Sequence, residues 1–196
     1  DVLKSLSQAS AIIAEGEVMQ LSATGDINMT MDQYLEIVRC KTAALFRAAC
    51  EVGVLVSECK NAQSSRDIAD YGEFLGVSFQ ISDDVLDYRQ DASVMGKRRG
   101  DDFREGKMTA PVILAIEKAG PEERDFWHKA MTLKKAEEED FQAALSILKS
   151  HEVFDSSLEI AKVYGDKTLK AITSAPDSEI KTLLQDLVPY VISRLN

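Results

Sequence analysis

The segment at residues 66–89 constrains the fold most, because it is apolar around most of its helical circumference. At about 100° per residue, apolar side chains cover every direction but one. They are Phe74, Leu75, Val77, Phe79, Ile81, Val85, Leu86 and Tyr88. A helix of this kind belongs in the interior of a helical protein, so other helices must surround it.

The remaining stripe of this helix carries the residues with functional chemistry. Its members are Gly72, Gly76, Gln80, Asp83, Asp84 and Asp87. Three carboxylates on one partly buried face repel one another and lose hydration, and a hard divalent cation relieves both costs. Oxygen ligands of this type favour Mg²⁺, which commonly bridges substrate phosphates. The two glycines predict room for a ligand against the helix.

The composition supports a single all-α domain over residues 1–196. Gly and Pro together number only 14, from 10 and 4, which leaves few tight turns. A net charge of −10 argues against nucleic acid and against a polybasic membrane-docking face. No run of 18 apolar residues occurs, so we expect no stable membrane insertion. Three cysteines without a CxxC pair indicate reduced thiols and a cytoplasmic protein.

A second polar anomaly is Lys41, in a helix predicted from about residue 31 to 51. Thr30 and Gln33 form a capping-box pattern at its start. On the helical wheel Lys41 lies at the centre of an apolar face made by Tyr34, Ile37, Val38, Ala44, Leu45 and Ala48. Such a lysine either extends to solvent or needs an anion, which is a carboxylate or a ligand phosphate. Glu17 lies similarly among apolar residues, as a core hydrogen-bonding, interface or functional group.

The rest of the chain predicts further helices and one glycine- and lysine-rich loop. The first helix should end at residues 24–26, and Gly53 and residues 61–65 should interrupt the chain. Thr109 with Pro111, and Gly120 with Pro121, mark helix starts. Other predicted segments are a loop at 91–107, solvated charged helix faces at 121–140, and helices near 156–174 and 178–195.

These motifs together resemble the trans-type polyprenyl diphosphate synthase family. The run GVSFQISDDVLDY at residues 76–88, followed by GKRRGDDFREGKMTAPVI, is similar to its second aspartate-rich region. GEVMQL, YLEIVRCKTAALF and the ending LVPYVISRLN also resemble the family. The resemblance is strongest to bacterial long-chain enzymes that make octaprenyl or decaprenyl quinone side chains. It implies the C-terminal part of an isoprenoid-synthase-type helical bundle around a central cavity, usually in a homodimer.

The resemblance also implies a reaction and roles for individual residues. A Mg²⁺-dependent prenyltransferase of this family condenses isopentenyl diphosphate with an allylic diphosphate. By resemblance, Asp83 coordinates Mg²⁺, with Asp84 and Asp87 close by as ligands or water-mediated partners, and Lys41 and Lys97 hold the allylic diphosphate. Asp83, Lys41 and Lys97 are thus the expected catalytic residues. The substrate pocket is expected to include Thr42, Phe79 and Gln80. Asp101 and Lys107 resemble loop residues of the family without an assigned role.

One departure from the family pattern is large. The first aspartate-rich motif and the basic site for isopentenyl diphosphate do not occur in these 196 residues. The sequence begins at Asp1 without a capping signal, so we expect the natural protein to extend upstream and this chain alone to be inactive. Robust turnover of both diphosphates would contradict that expectation. Three alternatives are a non-catalytic partner subunit of a heteromeric prenyl synthase, a terpene-cyclase-like enzyme, and a purely structural acidic helical domain.

Overall fold

The computed structural model describes residues 1–57, 62–89, 99–132 and 137–193, and no strand occurs among them. The all-α prediction is therefore confirmed for this part of the chain. The helices are α1 (Val2–Ser22), α2 (Met31–Val38), a π-helical segment (Arg39–Ala43), α3 (Ala44–Val56), α4 (Ala62–Arg89), α5 (Asp101–Arg104), α6 (Ala110–Lys118), α7 (Pro121–Thr132), α8 (Glu138–Ser150), α9 (Val153–Ala171) and α10 (Glu179–Ser193).

The central element is α4, as its apolar circumference predicts. It packs along α9 on one side and α3 on another. Val77, Ile81 and Val85 have no exposed surface. A cluster of large aromatic residues closes the core at its C-terminal end, namely Tyr88, Phe103, Trp127 and Phe141. Burial on all sides fixes the rotation of α4, and with it the direction in which its polar stripe points.

The helix predicted from about residue 31 to 51 is interrupted by the π-helical segment. Its capping box is present, because Gln33 N–H donates to Thr30 Oγ1 at 3.3 Å and Thr30 N–H donates to Gln33 Oε1 at 2.8 Å. A π turn takes up more residues than an α turn and rotates the residues that follow. The placement of Leu45 beside Lys41 is wrong for this reason, and Leu45 is 54% exposed.

Several predicted boundaries also differ from the structure. α3 continues through Gly53 to Val56, because an exposed glycine weakens a helix without ending it. α4 already begins at Ala62, so the predicted interruption at 61–65 is too long. α8 had not been predicted as a helix, although Glu137 and Asp140 form a capping box at its start. The predicted breaks near residues 24–26, at Thr109 and at Pro121 are confirmed.

The last helix, α10, is anchored on α4 by a second apolar cluster. Tyr71 and Leu75 of α4 pack with Val188 and Val191 of α10. The Tyr71 hydroxyl donates to the Leu184 carbonyl at 2.8 Å. This contact brings the C-terminal end of α10 to the mouth of the cavity described below. In the described ranges, no helix has the length and apolarity that crossing a bilayer requires.

Candidate active site

A cavity of about 760 Å³ lies where α1, α2, the π-helical segment, α4 and the α5 region meet. Its lining combines many carboxylates with basic and apolar side chains. The acidic lining residues are Asp83, Asp84, Asp87, Asp101, Asp102 and Glu105, and the basic ones are Lys41, Arg99 and Lys107. The apolar wall includes Met29, Ile37, Val38, Leu86 and Met108. One cavity therefore brings a cluster of carboxylates and a set of apolar side chains together.

The aspartates of α4 and Gln80 reach the cavity as their spacing predicts, but the two glycines do not. Asp83 is exposed, Asp87 is half-buried and Asp84 is buried. A Cβ on Gly72 would lie 2.6 Å from the Phe46 carbonyl oxygen, and one on Gly76 would lie 2.7 Å from Ala43 Cα. These glycines let α3 and the π-helical segment approach α4. The predicted room for a ligand at Gly72 and Gly76 is wrong.

Asp84 is enclosed by two neutral hydrogen-bond donors. The Tyr34 hydroxyl donates to its Oδ2 at 2.6 Å, and Gln80 Nε2 donates to its Oδ1 at 2.8 Å. Burial raises the pKa of Asp84 to about 8, with a further contribution from the charge of Asp102. Negative charge on Asp84 is therefore unfavourable in this buried position, and a cation bound in the cavity would stabilise it.

Asp87 connects α4 to α5. The Asp102 backbone N–H donates to Asp87 Oδ2 at 3.2 Å. Burial, together with the charge of Asp102, raises the pKa of Asp87 to about 6. Lys107 balances part of this negative charge, because its Nζ lies 2.8 Å from Asp102 Oδ1 and 2.8 Å from Glu105 Oε2. Burial alone would lower the pKa of Lys107, and these two bonds raise it instead.

The π-helical segment places Lys41 and Thr42 at the cavity that the aspartates also line. Lys41 Nζ lies 3.1 Å from Glu17 Oε1 and 2.5 Å from Gln20 Oε1. The anion that the sequence required for Lys41 is therefore a carboxylate here. A Cβ on Gly16 would lie 2.6 Å from the Lys41 backbone nitrogen, so α1 touches the segment directly.

Of the remaining predicted substrate-binding residues, Thr42 and Gln80 line the cavity and Phe79 does not. Thr42 Oγ1 donates to Gln80 Oε1 at 2.7 Å, which brings these two residues together. Phe79 packs against Phe46 with ring centroids 5.4 Å apart and is not among the cavity-lining residues. Lys97 lies outside the described residues.

Sequence reasoning missed several residues of the site. The sequence places Tyr34 only on an apolar face and assigns no role to Gln20. Both line the cavity, as does Arg99, whose Nε donates to the Tyr88 carbonyl at 2.8 Å. The position of Tyr34 on the face of Lys41 does not by itself distinguish it from a core aromatic residue, and the sequence offered no further signal for it.

The donor set fits a hard divalent cation that retains part of its hydration. Among the described side chains, no three His, Cys, Asp or Glu groups converge closely enough to hold a metal ion by themselves. Mg²⁺ commonly uses one or two carboxylates and completes its coordination with water and substrate phosphate. Asp83 and Asp87 offer such carboxylates at the cavity, while both oxygens of Asp84 already accept hydrogen bonds. The carboxylate oxygens of Asp83 and Asp87 therefore suit a Mg²⁺ ion that also binds a substrate phosphate.

Comparison with known proteins identifies the class to which this architecture belongs. A model of the polyprenyl synthetase family matches residues 1–148. The chain therefore belongs to the polyprenyl synthetase family.

Similar proteins include octaprenyl and decaprenyl diphosphate synthases. The octaprenyl diphosphate synthase of Haemophilus influenzae is 32% identical over 193 residues, which are 98% of this chain and 58% of that protein. The structure of a decaprenyl diphosphate synthase from Rhodobacter capsulatus matches with a TM-score of 0.91 and 39% identity, over all of this chain and 60% of that one.

A polyprenyl synthase from Caulobacter crescentus, crystallised with calcium and isoprenyl diphosphate, gives a TM-score of 0.94 at 39% identity. The match covers all of this chain and 59% of that chain. These structures share the isoprenoid-synthase all-α fold, which confirms the predicted fold class. The chain spans a little under 60% of the length of the Haemophilus and Caulobacter proteins.

Proposed function

We propose that this chain carries the Mg²⁺- and allylic-diphosphate-binding part of a polyprenyl diphosphate synthase. Such an enzyme joins isopentenyl diphosphate to an allylic diphosphate and so lengthens a prenyl chain. The observation that carries the proposal is the convergence of Lys41 and Thr42 with Asp83 and Asp87 on one cavity that also has an apolar wall. The octaprenyl and decaprenyl diphosphate synthases among the similar proteins support a long-chain product.

The polar residues would act on the diphosphate. When bound, Mg²⁺ supplies neutralisation of the charge that develops on the departing diphosphate. Asp83 and Asp87 would hold it from α4. The Lys41 ammonium would donate to a diphosphate oxygen, and the ligand would then replace Glu17 as its anion. Lys97, by its resemblance, would donate to the same diphosphate.

The apolar wall would act on the hydrocarbon. As the allylic carbon–oxygen bond breaks, Met29, Ile37, Val38, Leu86 and Met108 would keep water from the allylic cation. The double bond of isopentenyl diphosphate then forms the new carbon–carbon bond, and a proton leaves the product. Exclusion of water matters because water would otherwise capture the cation as an alcohol.

The proposal includes a cytoplasmic homodimer. One side of α1 carries exposed apolar side chains, with Leu3 81% and Leu21 73% exposed, and Leu6 and Val18 on the same side. A second copy would cover this side and remove apolar surface from water. The free thiols of Cys40 and Cys50 agree with a reducing compartment. Analytical ultracentrifugation tests the dimer: we expect the mass of two chains for the wild type and of one chain for Leu3→Gln/Leu21→Gln. A wild type with the mass of one chain, or a variant that keeps the mass of two, contradicts the proposed dimer.

The proposed function is tested by calorimetry of farnesyl diphosphate with and without Mg²⁺. We expect binding that requires Mg²⁺ and weakens at least tenfold in Asp83→Ala. Asp166→Ala, a similar change at an exposed position of α9 away from the cavity, is the matched control and should bind as the wild type does. Mg²⁺-independent binding, or equal loss in both variants, contradicts the proposal.

A further inference from the structure

Tyr34 and Asp84 form a buried contact between two helices that are far apart in sequence. The Tyr34 hydroxyl on α2 donates to Asp84 Oδ2 on α4 at 2.6 Å. Each residue is only 4% exposed. A buried carboxylate needs donors, and loss of one donor leaves the group with an unmet desolvation cost.

The contact is the end of a hydrogen-bond chain with a defined direction. Thr42 Oγ1 donates to Gln80 Oε1 at 2.7 Å. Since the Gln80 oxygen is used by Thr42, its amide nitrogen faces Asp84 and donates to Oδ1 at 2.8 Å. Both oxygens of Asp84 are therefore fixed, one from α2 and one from within α4. The chain joins α2, the π-helical segment and α4 at the wall of the cavity.

Fixing Asp84 also fixes its neighbours on α4. Asp83 precedes it in the chain, and Asp87 follows nearly one helical turn later. Both project to the cavity from the same length of helix. A rotation of α4 about its axis would move both carboxylates together, and it would have to break the Tyr34–Asp84 bond first.

We infer that Tyr34 is a positioning residue, which holds the α4 aspartates in the arrangement that binds a divalent cation. The inference rests on the proposed function. Groups that hydrogen-bond directly to a metal ligand commonly change metal affinity by about 10- to 100-fold when they are removed, and Tyr34 acts on the ligands through Asp84, which lies between them on α4. The ring of Tyr34 also packs in the core cluster, and phenylalanine would retain that packing. The hydroxyl alone therefore carries the inferred role.

The test uses Tyr34→Phe, with Tyr71→Phe as the matched control. Tyr71 is 1% exposed and its hydroxyl donates to the Leu184 carbonyl at 2.8 Å, away from the cavity. Both variants thus lose one buried hydroxyl. Calorimetry measures the Mg²⁺ concentration that half-saturates binding of inorganic pyrophosphate. We expect it to rise by about tenfold or more in Tyr34→Phe and to stay unchanged in Tyr71→Phe. At saturating Mg²⁺, pyrophosphate affinity should return to the wild-type value.

A second variant guards against failure of Tyr34→Phe to fold. Thr42→Val breaks the same chain at its other end and keeps the side-chain shape, and it should raise the Mg²⁺ requirement in the same direction. An unchanged requirement in both variants, or an equal rise in Tyr71→Phe, overturns the inference while the proposed function stands. A wild-type chain that binds no pyrophosphate with Mg²⁺ contradicts the proposed function and this inference together.

Discussion

The backbone nitrogen of Lys41 lies against Gly16, at a distance of only 2.6 Å from where a Cβ would stand. This approach lets Glu17 and Gln20, on the following turn of α1, reach the Lys41 ammonium at 3.1 and 2.5 Å. The position of the lysine thus depends on a neighbouring helix as well as on its own.

Gly16→Ala should therefore destabilise the protein by about 1–3 kcal/mol, because the new methyl group collides with backbone atoms that cannot move freely. It should also weaken Mg²⁺-dependent pyrophosphate binding by displacing Lys41. Gly53→Ala is the control, since nothing lies within 4 Å of a Cβ there. It should stabilise α3 by roughly 0.5–1 kcal/mol. Urea unfolding measures both variants, and equal effects would refute the role of the Gly16 contact.

Glu17→Gln should strengthen pyrophosphate binding several-fold, because the amide competes less than a carboxylate for the Lys41 ammonium. Lys41→Met should weaken it by roughly tenfold or more, since a hydrogen bond to a charged group contributes about 1.5–3 kcal/mol. Lys162→Met removes an exposed lysine that pairs with Glu159 on α9, and it is the control. Calorimetry at fixed Mg²⁺ reads all three, and weaker binding by Glu17→Gln would show that Glu17 assists the ligand instead of competing with it.

The pH dependence of stability should carry the signature of Asp84. Its pKa is raised from 3.8 to about 8 on folding, so the folded state binds the proton more tightly than the unfolded state does. The stabilising contribution is complete below pH 4 and is lost as the pH rises through about 8. Asp87, with a pKa of about 6, adds to the loss between pH 4 and 6.

We therefore expect the metal-free protein to lose free energy of unfolding between pH 5 and 8, and Asp84→Asn to lose less. Urea unfolding at both pH values measures the difference, which should be roughly a few kcal/mol. Asp166→Asn should leave the wild-type slope unchanged. The expectation fails if Asp84→Asn and the wild type respond identically to pH.

Gly100→Ala should destabilise the start of α5, the short helix that carries Asp101 and Asp102. Gly100 has φ +77°, and a Cβ there would lie 2.1 Å from Phe141 Cε2. Backbone strain and the collision with Phe141 together should lower the free energy of unfolding by more than about 2 kcal/mol. Gly120→Ala has open space around it and should be nearly neutral. The midpoints of urea unfolding of the two variants are compared. An unchanged midpoint for Gly100→Ala would contradict the close contact with Phe141.

The sequence predicted the interior position of α4 and the cavity-facing aspartates because both follow from helical periodicity alone. It could not predict that Gly72 and Gly76 face other helices while Asp83 faces the cavity, since all three share one stripe. Which part of a stripe faces a ligand and which faces another helix depends on what packs against it. Here the π-helical segment and Phe46 occupy the glycine end.

Periodicity also failed at the π-helical segment, where a wheel drawn for an α-helix no longer applies. Lys41 was recognised by its surroundings, but its partners Glu17 and Gln20 belong to another helix. Tyr34 was missed for a related reason. A tyrosine on an apolar face resembles any core aromatic residue until the acceptor of its hydroxyl, 50 residues away, is known.

The π-helical segment also determines how the chain between α2 and α3 would respond to a change in length. A π turn takes up about one residue more than an α turn, so deleting one residue from Arg39–Ala43 would let the segment relax to regular α geometry with α3 nearly in its present orientation. The deletion would instead remove the turn that places Lys41 and Thr42 at the cavity. A residue inserted at Ala44 would turn everything after it by about 100°, and Phe46, which touches Gly72, would then face away from α4.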